Sequence, residues 1–235
     1  PTPPIMNSPP CFRNASALVA LLLALPAIDT IAAPTDSLIS YWKFENNADD
    51  QAISGSVADN GTWVGSTSYA AGRHGNGITL DGSNHISVPA SADVDRAGSD
   101  MSLSAWFRVD TWDSNWQCLV SKGEGSAWRI ARRGGDANQL SFAGGSGDIS
   151  GGTVNDGQWH HVVAVSEAGV STRLIIDGAL VATGNGPGIA ASALPMLIGE
   201  NPGATGRQWK GGIDDMGLFS TPLNTLQAAA IYDLA

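Results

Sequence analysis

From Met101 to Asp110 hydrophobic and polar residues alternate without a break. Met101, Leu103, Ala105, Phe107 and Val109 fall on one face of an extended segment, and Ser102, Ser104, Trp106, Arg108 and Asp110 on the other. This pattern predicts a strand with one face buried. Shorter segments of the same kind recur at 38–44, 78–81, 85–88, 117–122, 128–133, 139–143, 159–165, 172–177, 179–183, 196–199 and 212–219. Turn dipeptides separate them: Asp81-Gly82, Gly134-Gly135, Asp156-Gly157 and Asp177-Gly178, the last between two apolar runs as a tight hairpin requires. So many short strands without intervening helices predict an all-β fold of two packed antiparallel sheets. One helix is legible, near the C-terminal end. There Asn224 can cap the first turn with Gln227 three residues on, and Leu223, Leu226 and Ala230 share a face.

The first stretch follows a different pattern. After Met6 comes a polar segment with one cation, Arg13, then an apolar run from Ala17 to Ile28, then the small residues Thr30, Ala32 and Ala33. This is the layout of a secretory signal peptide over residues 1–32, cleaved after Ala32. The apolar run is shorter than the roughly 20 residues a membrane-spanning helix needs, so no transmembrane span is expected in the mature chain. Residues 33–37 then read as a short linker and 38–235 as one domain, secreted or held at the cell surface.

Composition sharpens the picture. Of 235 residues, 14% are charged and 29 are glycine, against roughly 25% charged and ~7% glycine in an ordinary globular chain, which fits a turn-rich β protein. Twelve Lys and Arg against 22 Asp and Glu give a net charge of −10. Removing residues 1–32 takes away Arg13 and Asp29 and leaves that balance unchanged. A surface so biased repels phosphate backbones and anionic headgroups, which excludes nucleic acid as a partner. Of the two cysteines, Cys11 precedes the apolar run and Cys118 stands alone beyond it. No disulfide is expected, and the neighbours Leu119 and Val120 suggest a buried thiol.

Eight tryptophans outnumber the five phenylalanines and three tyrosines, and indole faces stack well on sugar rings. Trp106 projects beside Arg108. Trp112 and Trp116 share a loop with Asp113 and Asn115, and Trp128 opens a basic run with Arg129, Arg132 and Arg133. Stacking faces mixed with hydrogen-bonding groups suit a hydroxyl-rich ligand, and core packing is the alternative for each indole. His160 and His161 are adjacent on one strand and point to opposite faces, so they cannot grip one metal ion. His74 and His85 are isolated in sequence, which suits surface or hydrogen-bonded roles. Read as an unbroken strand, 213–219 places Asp214 on one face with Met216 and Leu218. A carboxylate at the border of the core needs a counter-charge, which calcium, or a neighbouring hydroxyl or Lys, would supply. Asn60-Gly61-Thr62 reads as a turn or, in a eukaryotic secretory pathway, a glycosylation acceptor.

Six stretches in order resemble the laminin G-like group of the concanavalin A-like lectin/glucanase superfamily. They are Tyr41-Trp42-Lys43-Phe44, Gly77 to Gly82 followed by His85 to Pro89, Leu103 to Phe107, Gly157 to Val163, Ile176-Asp177-Gly178, and Gly212 to Phe219. The resemblance implies a jelly-roll sandwich, commonly secreted, used for binding glycans or glycoconjugates or for adhesion, and frequently stabilised by calcium. It implies that Asp214 holds such a calcium together with main-chain oxygens near the first strands, where Glu45, Asp59 and Asn60 are the candidates to contribute. The superfamily also contains glycoside hydrolases, whose laminarinase-type members carry paired acids in an E-x-D-x-x-E run. None of the four glutamates here, Glu45, Glu124, Glu167 and Glu200, is followed by that pattern. The expected function is a non-catalytic binding module for an extracellular glycan, with Trp106, Arg108, Trp112, Trp116 and Trp128 as candidate ligand-binding residues. The alternative is an adhesive surface protein that contacts another protein.

Overall fold

The computed structural model describes residue 1, residues 35–52 and residues 54–233. The signal-peptide reading of residues 1–32 lies outside the described residues, residue 1 apart. A 3-10 turn at Thr35–Ser37 leads into β1 (Leu38–Trp42), β2 (Thr62–Val64), β3 (Tyr69–Ala71), β4 (Asn76–Asp81) and β5 (His85–Val88). A short helix α1 (Ala92–Asp95) precedes β6 (Met101–Arg108), β7 (Cys118–Ser121), β8 (Trp128–Arg132), β9 (Leu140–Gly144) and β10 (Ile149–Gly151). Then come β11 (Trp159–Glu167), β12 (Ser171–Ile176), β13 (Ala179–Asn185), β14 (Met196–Ile198), β15 (Lys210–Phe219) and the helix α2 (Thr225–Asp233).

Two antiparallel sheets result, as the alternating pattern predicts. An eight-stranded sheet runs β13-β12-β11-β6-β15-β4-β3, with β1 pairing on β15, and a seven-stranded sheet runs β10-β9-β8-β7-β14-β5-β2. The first strand therefore closes on the last, with Leu38 opposite Phe219 and Trp42 opposite Met216. Between the sheets lies one apolar layer that includes Trp42, Phe107, Trp128, Phe142, Trp209 and Met216, each at most 1% exposed. At the β12–β13 hairpin Asp177 and Gly178 take φ values of 49° and 74°, the left-handed pair that a two-residue turn matching the sheet twist demands.

Three local expectations are corrected. β6 is buried on both faces except at its last residue. The segment entering α2 covers its polar side: Ser102 Oγ donates to Thr221 O and accepts from Leu223 N, both at 2.8 Å. Val163, Val165, Ile175, Phe219, Leu223 and Ala228 form a second apolar cluster on that outer face. Second, the reciprocal cap at α2 is present, with Asn224 Oδ1 accepting from Gln227 N and Gln227 Oε1 accepting from Asn224 N at 2.9 Å each. The buried side is carried by Ala228 rather than Leu226, which is 65% exposed, because Leu223 lies ahead of the helix and does not set its face. Third, β15 is not regular. Asp215 has φ 43°, and the pairing with β6 slips between Asp214 and Gly217. This bulge turns Ile213, Met216 and Leu218 to the core and leaves Asp214 on the outer face, opposite Trp106. Asp214 and Met216 thus do not share a face.

Candidate functional site

At one rim of the seven-stranded sheet the chain enters β7 through the loop 111–117, which folds around one side chain. Gln117 is fully buried; its Oε1 accepts from Asp113 N (3.1 Å) and Ser114 N (3.3 Å), and its Nε2 donates to Thr111 O (2.7 Å). Trp116 sits at φ 58° with its N–H on Gly134 O, which ties the loop to the β8–β9 hairpin. The hairpin is itself fixed by Asp136, whose Oδ1 accepts from Asn138 N and Gln139 N.

Guanidinium groups lie over both indoles of this rim. Arg132 stacks on Trp112 with its Cζ 5.4 Å from the ring centroid, and Arg129 and Arg133 lie over Trp116 at 4.7 and 5.2 Å. Among the described residues Arg132 donates to carbonyls alone, those of Ser114, Gly135 and Asp136, at 2.8 to 2.9 Å. Arg129, 5% exposed, pairs with both oxygens of Asp148 and with Glu124, and Glu124 also takes Arg207. Among the described residues Arg133 reaches one carboxylate, Asp148, at 3.6 Å, and its side chain is 42% exposed. Two donors here, Trp112 Nε1 and Arg129 Nε, are buried without a hydrogen-bond partner.

The fold brings together only part of the expected ligand set. Trp112 and Trp116 are half-buried at the rim, and Trp112 also packs on the core. Trp128 is entirely buried between the sheets, its Nε1 donating to Val94 O, and offers no face to a ligand. Trp106 projects from the polar side of its strand as expected but is only 3% exposed. Tyr232 of α2 stacks on it at 5.4 Å, His161 and His74 flank it, and Arg73 lies over its ring. Arg108 pairs with Asp110 and stacks on Trp159, at the end of the eight-stranded sheet. Sequence order concealed the role of Gln117, which reads as an ordinary strand residue.

A second cluster lies on the outer face at the β15 bulge. His74, Asp214 and Asp215 offer ligand atoms within 4.8 Å of one another, and His74, isolated in sequence, takes a hydrogen-bonded role there. Tyr41 Oη donates to Asp215 Oδ1 at 2.7 Å, and His74 Nδ1 lies 2.9 Å from Asp215 Oδ2. Asp214 is 0% exposed and has no Lys or Arg ion pair among the described residues; its oxygens accept main-chain N–H groups, from His74 and Asp215 at 2.9 Å and from Arg73. Burial pushes its carboxyl up to about 6, and the neighbouring Asp215 adds to the rise. Glu45 reaches the same turn, its Oε2 accepting from Asn76 N. A buried carboxylate without a cation, beside the partly buried Asp215 and the ring of His74, offers carboxylate oxygens of the kind a hard divalent ion takes. Asp59 and Asn60 belong elsewhere: Asp59 takes Ser40 Oγ at 2.8 Å, and Asn60 Oδ1 caps Asp50 N at 2.9 Å. Those bonds tie the loop after β1 to its own strand.

The remaining glutamates are structural. Glu167 pairs with Arg173, and Glu200, 3% exposed, accepts from the main-chain N–H groups of Asn201, Gly206 and Arg207. His160 and His161 diverge as their strand dictates. His160 sits between Asp156 and Asp177, while His161 lies on the outer face of the sheet against Ser104 Oγ at 2.8 Å.

A laminin G family model, described as the concanavalin A-like lectin/glucanases superfamily, matches residues 80–229. No curated protein matches the chain. Among solved structures, domain 4 of a GH43 extracellular arabinanase from Geobacillus stearothermophilus, in complex with arabinotriose, superposes with a TM-score of 0.64 at 21% identity, over 83% of this chain and 98% of that one. The binding domain of Paraclostridial Mosquitocidal Protein 1 superposes with a TM-score of 0.70 at 15% identity, over 85% of this chain and 52% of that one. A structure of botulinum neurotoxin type C, whose cell entry depends on interaction with two ganglioside molecules, gives 0.67 at 15% identity, over 87% and 53%. The chain thus spans about half the length of the two toxin structures. At these identities the likeness is one of fold.

Proposed function

The chain belongs to the concanavalin A-like lectin/glucanases superfamily, and from that membership we propose that it is an extracellular, non-catalytic carbohydrate-binding module whose contact surface is the rim carrying Trp112 and Trp116. The observation that carries this reading is the ordering of that rim. Two indoles stand on a loop templated by a buried glutamine, the guanidinium groups of Arg129 and Arg132 on β8 are held by hydrogen bonds, and that of Arg133 lies over Trp116, all before any ligand arrives. Preordered aromatic and forked-donor groups lower the entropic cost of binding a flexible sugar chain. The arabinotriose held by one structural neighbour and the gangliosides of another support the same class of ligand. Catalysis finds no support in the glutamates, since Glu124, Glu167 and Glu200 are each engaged by Arg side chains or main-chain N–H groups. Among the described residues no helix is long and apolar enough to cross a membrane, and export is part of the proposal.

A structural calcium belongs to the same reading. Asp214 and Glu45, with main-chain oxygens of the turns they touch, would hold it, and the ion would supply the positive charge that Asp214 lacks. Its role is to stabilise the outer face, at a distance in the fold from the tryptophan rim.

The test is a glycan microarray probed with the full chain and with Trp116→Ala. The expected result is a defined set of bound glycans whose signal falls about tenfold or more in the variant, with an unchanged melting temperature. Silence across the array, or full binding by Trp116→Ala, overturns the reading.

A further inference from the structure

The rim differs from a simple stacking platform in one respect: its indole faces are already occupied. The groups over Trp112 and Trp116 are the guanidinium groups of Arg132, Arg129 and Arg133. A cation–π contact leaves a guanidinium's N–H groups available, and their fork matches the two oxygens of a carboxylate or sulfate. Arg129 is consumed by Asp148 and Glu124, and Arg132 by three carbonyls. Arg133 is different. Its guanidinium makes no hydrogen bond among the described residues, and its nearest carboxylate oxygen, on Asp148, is 3.6 Å away and already bonded to Arg129. The side chain is open to solvent and steadied by Trp116. Around it Arg129, Arg132 and Arg207 lie among Glu124, Asp148, Glu200 and the more distant Asp136, a local gathering of cations on a chain whose net charge is −10.

We infer that the ligand of this rim is an acidic sugar, one whose ring carries an anionic substituent that Arg133 grips in a forked pair while its guanidinium rests over Trp116. The inference rests on the reading of the rim as a glycan site and adds the class of glycan. The overall charge sets a limit on that class. At physiological salt, charges act over about 8 Å, so a single anionic group seated at Arg133 feels the local cations. A densely charged polymer draped over the rest of the surface meets the repulsion of the whole chain. The ligand is therefore a glycan with isolated acidic groups, and carboxylate and sulfate ester share the required geometry.

The experiment is calorimetric titration of the full chain with four probes: an oligosaccharide ending in glucuronate, its methyl ester, an oligosaccharide ending in a sulfated hexose, and the unsulfated parent. The expected result is binding of at least one acidic probe about tenfold or more tighter than its neutral twin. That preference should vanish in Arg133→Gln and shrink in Arg133→Lys, which keeps the charge and loses the fork, while the melting temperature stays put. Which acidic probe wins assigns the substituent. Equal binding of an acid and its neutral twin, or an unchanged preference in Arg133→Gln, overturns the inference and leaves the glycan-binding reading standing. Failure of all four probes alongside a positive array of neutral glycans overturns the inference alone; failure of all four with a silent array overturns both.

Discussion

Two buried groups that lie close together on the outer face of the eight-stranded sheet pull its stability in opposite directions as pH changes. His161 is 1% exposed, its Nδ1 has no partner, and burial lowers its pKa to about 4. Between about 6.5 and 4 the unfolded chain takes up a proton that the folded one refuses, so this group withdraws stability as pH falls through that window. Asp214, raised to about 6, does the reverse. From its ordinary value near 4 up to 6 the folded chain keeps a proton that the unfolded one gives up, and stability drains away as pH rises. In chelator, where no cation intervenes, the two slopes oppose each other between pH 4 and 6. Relative to the parent, His161→Gln should therefore lose melting temperature as pH climbs through that range, and Asp214→Asn should lose it as pH drops. A calorimetric pH series checks both; parallel curves for all three proteins would contradict the assignment. The face that each of these groups occupies was not legible in the sequence. His161 reads as one of a divergent pair, and Asp214 reads as core-facing until the bulge at Asp215 is seen. Trp106 and Trp128 fail as ligand residues for a similar reason: what covers a side chain is decided by segments far away in sequence.

Among the elements, long strands and the tight hairpin announced themselves through period and turn chemistry, because β6, β11 and the Asp177-Gly178 turn each repeat a local rule several times over. β2, β3 and β10 have three residues apiece, too few for alternation to show. The helix α2 was visible through its cap but rotated in expectation, since a wheel drawn from Leu223 counts a residue that precedes the helix. Its true orientation gives a direct test. Leu226→Asp, at an exposed position, should change the free energy of unfolding by no more than about 0.5 kcal/mol. Ala228→Asp, which drives a charge into the cluster of Val163, Val165 and Phe219, should cost about 3 kcal/mol or more. Urea titration of the two variants decides it, and comparable losses would mean the helix does not seat on the sheet in this way.

At the scale of the whole molecule the sandwich was the most legible feature, because many weak motifs in order point to one architecture. The rim was not, since its tryptophans come from one loop and its arginines from β8, the hairpin after it and the segment before β15. Calcium is the effect that belongs to this scale. With Asp214 buried and uncompensated, addition of calcium to chelated protein should raise the melting temperature by several degrees, the response expected of a small number of kcal/mol in a domain this size. Asp214→Asn should abolish that rise, and a parent that melts identically in calcium and chelator would argue against the ion.

The pairing of β1 with β15 has a consequence for how this protein is born. During translation the opening strand emerges from the ribosome long before its neighbour has been made, and β15 also seats β6 and β4. The nascent chain must therefore stay unfinished, its edges unprotected, until the closing strand is released. Under the proposed export this delay is useful, because a chain not yet locked can be threaded unfolded across a membrane.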